Sequence, residues 1–135
     1  MLVAALIPVS EGLLTGGLTR VTEYPDDPRG LLFSLVDFHV EFALENPAVI
    51  ALHHHELDRL PEDPRRSIRR LQRLYVEVWV QVLVALRPDL VDEEARVLAH
   101  AAFGLMNSTP FLGGEVERPR RAELLRAATL AALLP

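Results

Sequence analysis

No part of the chain constrains its fold as tightly as DPRRSIRRLQRLYVEVWVQVLVAL, residues 63–86. Ile68, Leu71, Tyr75, Val78, Trp79, Val82, Leu83 and Leu86 recur at steps of three and four, the spacing of one helical face. A second apolar stripe, Val76, Val80 and Val84, opens in the later half. The helix is therefore basic on entering, at Arg65, Arg66, Arg69, Arg70 and Arg73, and apolar nearly all round on leaving. Only other helices can cover such a surface. The valines favour a strand, but the helical period holds over far more residues than a strand spans. The stretch predicts the central post of a helical bundle, with the only Trp of the chain, Trp79, on it.

A chain of 135 residues can bury a real core and reads as one domain, residues 1–135. Half of it is hydrophobic and its mean hydropathy is +0.17, which excludes disorder as the main state and points to apolar surface in want of a partner. With 0 cysteines there is no disulfide, thiolate metal site or cysteine nucleophile. A net charge of −5 suits no nucleic-acid surface taken whole. The apolar start MLVAALIPV lacks a basic leader and is broken by Pro8, and no run is long enough to cross a bilayer. A cytoplasmic protein without a membrane partner is expected.

Prolines punctuate the rest. Met1 to Val21 has helical spacing at Leu6, Val9, Leu13, Leu14 and Leu18, weakened by Pro8, Gly12, Gly16 and Gly17. Asp27-Pro28 is a cap followed by a first-turn proline, opening a helix to Glu45 with Leu31, Leu35, Phe38 and Phe42 on one face. Asn46-Pro47 breaks it and starts a short helix to about Leu57. Asp92 is expected to cap a helix running to about Ser108, and Pro119 opens a last one to Leu134. The fold class is all-α, about six helices.

Catalytic and metal chemistry find no support. His53-His54-His55 point about 100° apart on a helix and cannot close on one ion. No His-Glu-x-x-His, paired Glu-x-x-His, Gly-x-Ser-x-Gly or glycine-rich phosphate loop occurs. No catalytic residue, metal or cofactor is expected, and the chain does not read as an enzyme. His39 and His100 sit on or beside apolar faces, as hydrogen-bonded core residues or as ligand contacts. The arginines at 59, 65, 66, 69, 70 and 73 form either a solvated face paired with nearby acids or a rim for an anionic head group.

Taken together, FHVEFALENPAVIALHHHELDRLPEDPRRSIRRLQRLYVEVWVQVL and the later AHAAFGLMNSTP resemble the C-terminal ligand-binding and dimerisation domain of TetR-family transcriptional regulators. The branch they look most similar to is the actinobacterial one associated with fatty-acid, acyl-CoA and steroid metabolism. The pieces that carry this are Phe38-His39, Glu45-Asn46-Pro47, Glu56-Leu57, Trp79 and Gly104 to Thr109. The resemblance implies an effector-binding half of a repressor, acting as a homodimer on a small hydrophobic ligand. The family's N-terminal helix-turn-helix is missing from the sequence, so DNA would be reached only through that missing domain. The alternative reading is a stand-alone helical dimer that binds a hydrophobic ligand or a partner protein without DNA.

Two sets of residues follow as expectations. Small and apolar residues on the last two helices, Ala101, Leu105, Leu124, Leu125, Ala128 and Ala132, suit an intersubunit four-helix bundle. Phe38, His39, Phe42, Tyr75, Trp79, Phe103, Met106 and Asn107 either line a pocket for an elongated lipid-like ligand or pack solidly with Trp79 as filler.

Overall fold

The computed structural model describes residues 3–135. Six α-helices account for most of them: α1 Leu6–Glu23, α2 Pro28–Glu45, α3 Pro47–Glu56, α4 Glu62–Leu86, α5 Asp92–Met106 and α6 Arg118–Leu133. Single 3-10 turns occupy Val3–Ala5, Leu57–Arg59 and Thr109–Phe111, and no strand occurs among the described residues. The fold is all-α.

Local chemistry sets the boundaries. The Asp27 carboxylate accepts from the Gly30 N–H at 2.9 Å, and Pro28 stands first in α2, where its missing N–H costs nothing. Asn46 closes that helix by donating its Nδ2 to the Phe42 carbonyl at 2.9 Å. At the start of α5 the cap is Val91 and not Asp92, which is the first helical residue. The reason is Glu94, whose carboxylate reaches back to the Val91 N–H at 3.0 Å, the acidic half of a capping box. The helix stops at Met106, two residues earlier than the apolar spacing suggests, and Thr109–Phe111 with Pro110 turns the chain away.

α4 is the post. It packs on α1, α2 and α5, while α6 packs on α5 and α2. Trp79, Val80 and Leu83 of α4 are completely buried, together with Leu32, Leu35, Val36 and Val40 of α2 and Ala95, Ala99, Ala102 and Met106 of α5. The alanines let α5 lie close against α4. Arg126 of α6 meets Asp37 at 2.6 Å and Glu41 at 3.0 Å, and Arg118 meets Glu41 and Glu45 at 3.0 and 3.2 Å. Such partly exposed pairs set the register of α6 on α2 more than they stabilise it.

α3 stands apart. None of its residues is fully buried, and it rests mainly on the two neighbouring 3-10 turns and lightly on α2. A face of α5 and α6 is also left uncovered: Val97, Ala101, Gly104 and Leu105 on one helix, Leu124, Ala128 and Ala132 on the other. No helix among the described residues is long and apolar enough to cross a membrane.

Candidate functional site

α1, α2, α3 and α4 do not close fully on one another. Between them lies a cavity of about 120 Å³. Leu6, Val9, Ser10 and Leu13 of α1 form one wall, and His39 and Phe42 of α2 the next. Val49, Ile50 and His53 of α3 face Leu71, Gln72 and Tyr75 of α4, and Asn107, just past α5, closes the base. The helical period puts Leu6, Val9, Ser10 and Leu13 on one stripe of α1, so this side of the cavity is nearly all hydrocarbon. Ser10 keeps its hydroxyl satisfied by donating to the Leu6 carbonyl at 2.7 Å.

Across the cavity runs a polar chain of three residues from three parts of the sequence. Nδ1 of His39 is 2.9 Å from the Tyr75 hydroxyl, and Nε2 is 2.8 Å from Oδ1 of Asn107. An amide oxygen only accepts, so the imidazole proton is on Nε2 and donates to Asn107. Nδ1 then accepts the Tyr75 O–H. The chain has one direction and leaves neither imidazole nitrogen free. Burial holds the His39 imidazole down at about 4, against the opposing pull of the Asn107 hydrogen bond. Burial also pushes the Tyr75 phenol well up, so both are neutral at pH 7. On the α3 side His53 is hydrogen-bonded to Gln72 of α4, and burial lowers its imidazole in the same direction.

Of the eight residues expected around a pocket, His39, Phe42, Tyr75 and Asn107 line this cavity. Trp79 and Met106 are wholly enclosed in the core below it. Trp79 stands edge-on to His39 with ring centres 6.1 Å apart, and its Nε1 has no hydrogen-bond partner among the described residues. Phe103 is half-buried, its ring 5.2 Å from both His39 and Trp79, and backs the polar chain without reaching the cavity. Phe38 points elsewhere, because adjacent helical positions diverge by about 100°. It lies over Gly16 with the Arg20 guanidinium 4.1 Å above its ring. Leu6, Val9, Leu13 and Leu71 read in the sequence as apolar-face positions and not as cavity wall, and nothing in it marks Ser10, Val49, Ile50 or Gln72.

The remaining candidates separate cleanly. Arg59, Arg66 and Arg69 are ion-paired with Glu56, Glu62 and Asp58, and Arg65 donates to the Asp58 carbonyl. None of these arginines lines the cavity. His54, His55 and His100 are exposed. No group of three or more His, Cys, Asp or Glu among the described residues is placed to hold a metal ion. Ala101 and Leu105 of α5 and Leu124, Ala128 and Ala132 of α6 are exposed, whereas Leu125 is turned partly into the core.

Comparison with known proteins adds a family. Residues 25–111 match the model of the tetracyclin repressor-like C-terminal domain. Among solved structures, a TetR-family transcriptional regulator from Bordetella parapertussis 12822 superposes with a TM-score of 0.79 at 24% identity. The alignment covers 96% of this chain and 69% of that one. At that identity the likeness is one of fold. No curated protein matches the chain.

Proposed function

The chain belongs to the tetracyclin repressor-like C-terminal domain family, and on that premise we propose that it is the effector-binding and dimerisation part of a transcriptional repressor. The observation that carries the reading is the cavity walled by α1 to α4, with a buried polar chain ending on Asn107. Asn107 is the residue that closes α5. It therefore joins the cavity to one of the two helices whose apolar face is uncovered.

Physically, an effector acts only by binding one arrangement of the dimer better than another. A molecule in the cavity competes with or braces the bonds of His39, Tyr75 and Asn107. The strain or support is delivered to the end of α5, and α5 and α6 of two copies form the joint whose angle changes. Val97, Ala101, Gly104 and Leu105 with Leu124, Ala128 and Ala132 make a stripe of small and apolar side chains on that joint. Such a stripe lets two copies approach closely in an isologous four-helix contact. The effector is small and mostly apolar. An acyl-CoA or other elongated lipid, as the family branch suggests, requires the cavity to lengthen well beyond its present size.

The test is linkage. Sedimentation equilibrium of the chain alone should show a dimer at micromolar concentration. A small apolar compound that raises its melting temperature should also change the dimer dissociation constant. A chain that stays monomeric at high micromolar concentration, or one whose ligands leave dimerisation untouched, would remove the proposal.

A further inference from the structure

We infer that the cavity takes an electrically neutral molecule about the size of a single six-membered ring, anchored through one hydroxyl or carbonyl group at Tyr75 and Asn107. The inference rests on the effector-binding reading above and narrows it. Size is the first argument. At about 120 Å³ the cavity is close to the roughly 150 Å³ of an engineered apolar cavity that holds benzene. A long acyl chain has no room in it.

Charge is the second argument. No Lys, Arg, Asp or Glu among the described residues lines the cavity. Arg20 of α1 is near enough for its charge to be felt at Tyr75, but it is not on the wall: its guanidinium lies over Phe38 and its Nη1 donates to the Gly16 carbonyl at 3.0 Å. The two histidines on the wall are held neutral by burial. A carboxylate or phosphate entering would lose its water and touch no cationic side chain among the described residues of the wall, and an ammonium would touch no anionic one.

The polar chain also leaves hydrogen-bonding groups unused. Tyr75 gives its proton to His39 and keeps an oxygen lone pair. Asn107 spends Oδ1 on His39 and keeps two N–H donors on Nδ2. At this end the wall thus offers one acceptor and one donor group, both uncharged, while Gln72 and His53, bonded to each other, supply the uncharged polar groups on the α3 side. A hydroxyl can donate to the first and accept from the second, and a carbonyl can accept from the second alone. Displacing water from these groups with an apolar molecule would leave them unpaired, which favours the polar neutral ligand over its hydrocarbon analogue.

Phenol, toluene and benzoate share one ring and differ in the property at issue. Calorimetric titration of the whole chain with each at pH 7, alongside decanoate and palmitoyl-CoA, tests the inference. Phenol should bind about five- to tenfold more tightly than toluene and more tightly than any of the anions. Tyr75→Phe should lose that advantage while toluene binding stays as it was, with circular-dichroism melting to verify the fold. Asn107→Leu, which stands outside the helices, provides the same comparison should Tyr75→Phe not fold. Phenol binding no better than toluene overturns the anchoring, and preferred binding of benzoate, decanoate or palmitoyl-CoA overturns the neutral ligand while leaving effector binding intact. Silence from all five compounds overturns both.

Discussion

A β-carbon on Gly16 would stand 2.2 Å from Cζ of Phe38, because α1 and α2 cross there with a ring laid directly on backbone. The Arg20 guanidinium lies over the Phe38 ring, 4.1 Å from its centre, so the ring cannot swing aside without losing that contact. Gly12, one turn earlier, has nothing within 4 Å of the same position. Gly16→Ala should therefore cost about 1–3 kcal/mol through overpacking. Gly12→Ala should gain roughly 0.5–1 kcal/mol from helix propensity. Thermal melts of the two variants should move in opposite directions; equal shifts would show that the crossing is looser than this.

Acid should weaken the fold through His39. Its folded value of about 4 lies below the ordinary 6.5, so between those values the unfolded chain binds more protons than the folded one. Its contribution is complete above pH 6.5 and disappears as the pH falls to about 4, an amount of order 3 kcal/mol. Urea unfolding of the wild type and of His39→Gln at pH 7 and pH 4.5 isolates it. The pH slope should be shallower in the variant, although His53, lowered in the same direction, retains part of it.

What the sequence disclosed and what it withheld divide along a physical line. Asp27-Pro28 and Asn46-Pro47 bracket α2 because caps and prolines act on backbone within a few residues, and α2 runs from Pro28 to Glu45 as they require. The start of α5 was displaced by one residue, since Asp92 and the Glu94 that reaches back to Val91 are both acids in a first turn. His39, Tyr75 and Asn107 stood out individually as polar groups near apolar faces. Their bonding to one another did not, because it spans separations of 36 and 68 residues that no local period encodes. Nor does an apolar face tell whether its neighbours fill the space: Trp79 and Met106 ended in solid core, Phe42 and Leu71 on an opening.

The uncovered stripe on α5 and α6 gives a prediction in which the choice of residue matters. Leu105 and Leu124 are 37% and 47% exposed, so Leu105→Asp and Leu124→Asp put a charge where the monomer does not need carbon. Each should shift sedimentation toward the monomer with little change in helicity. Leu125→Asp should instead lower the melting temperature as well, because Leu125 packs against the core. Dimers unaffected by both exposed substitutions would place the joint elsewhere.

Trp79, the single indole, is sealed at 0% exposure within 6.3 Å of the Tyr75 ring. Its emission should be blue-shifted from that of free indole and resist iodide quenching. A molecule entering the cavity should alter it only through Tyr75 and His39, so Tyr75→Phe should reduce the fluorescence response more than it reduces helicity.

α3 supplies one wall of the cavity and anchors no side chain of its own fully in the core. The free energy holding that wall in place is correspondingly small, set mainly by the turns at Leu57–Arg59 and Thr109–Phe111 and the His53–Gln72 bond. Its amides should exchange with solvent before those of α2 or α4, and a ligand that bridges α3 to α4 should slow them more than any others. Residence time in the cavity is then set by how often the ten residues of α3 come off the bundle, and affinity by groups that stay put, Tyr75 on α4 and Asn107 at the end of α5.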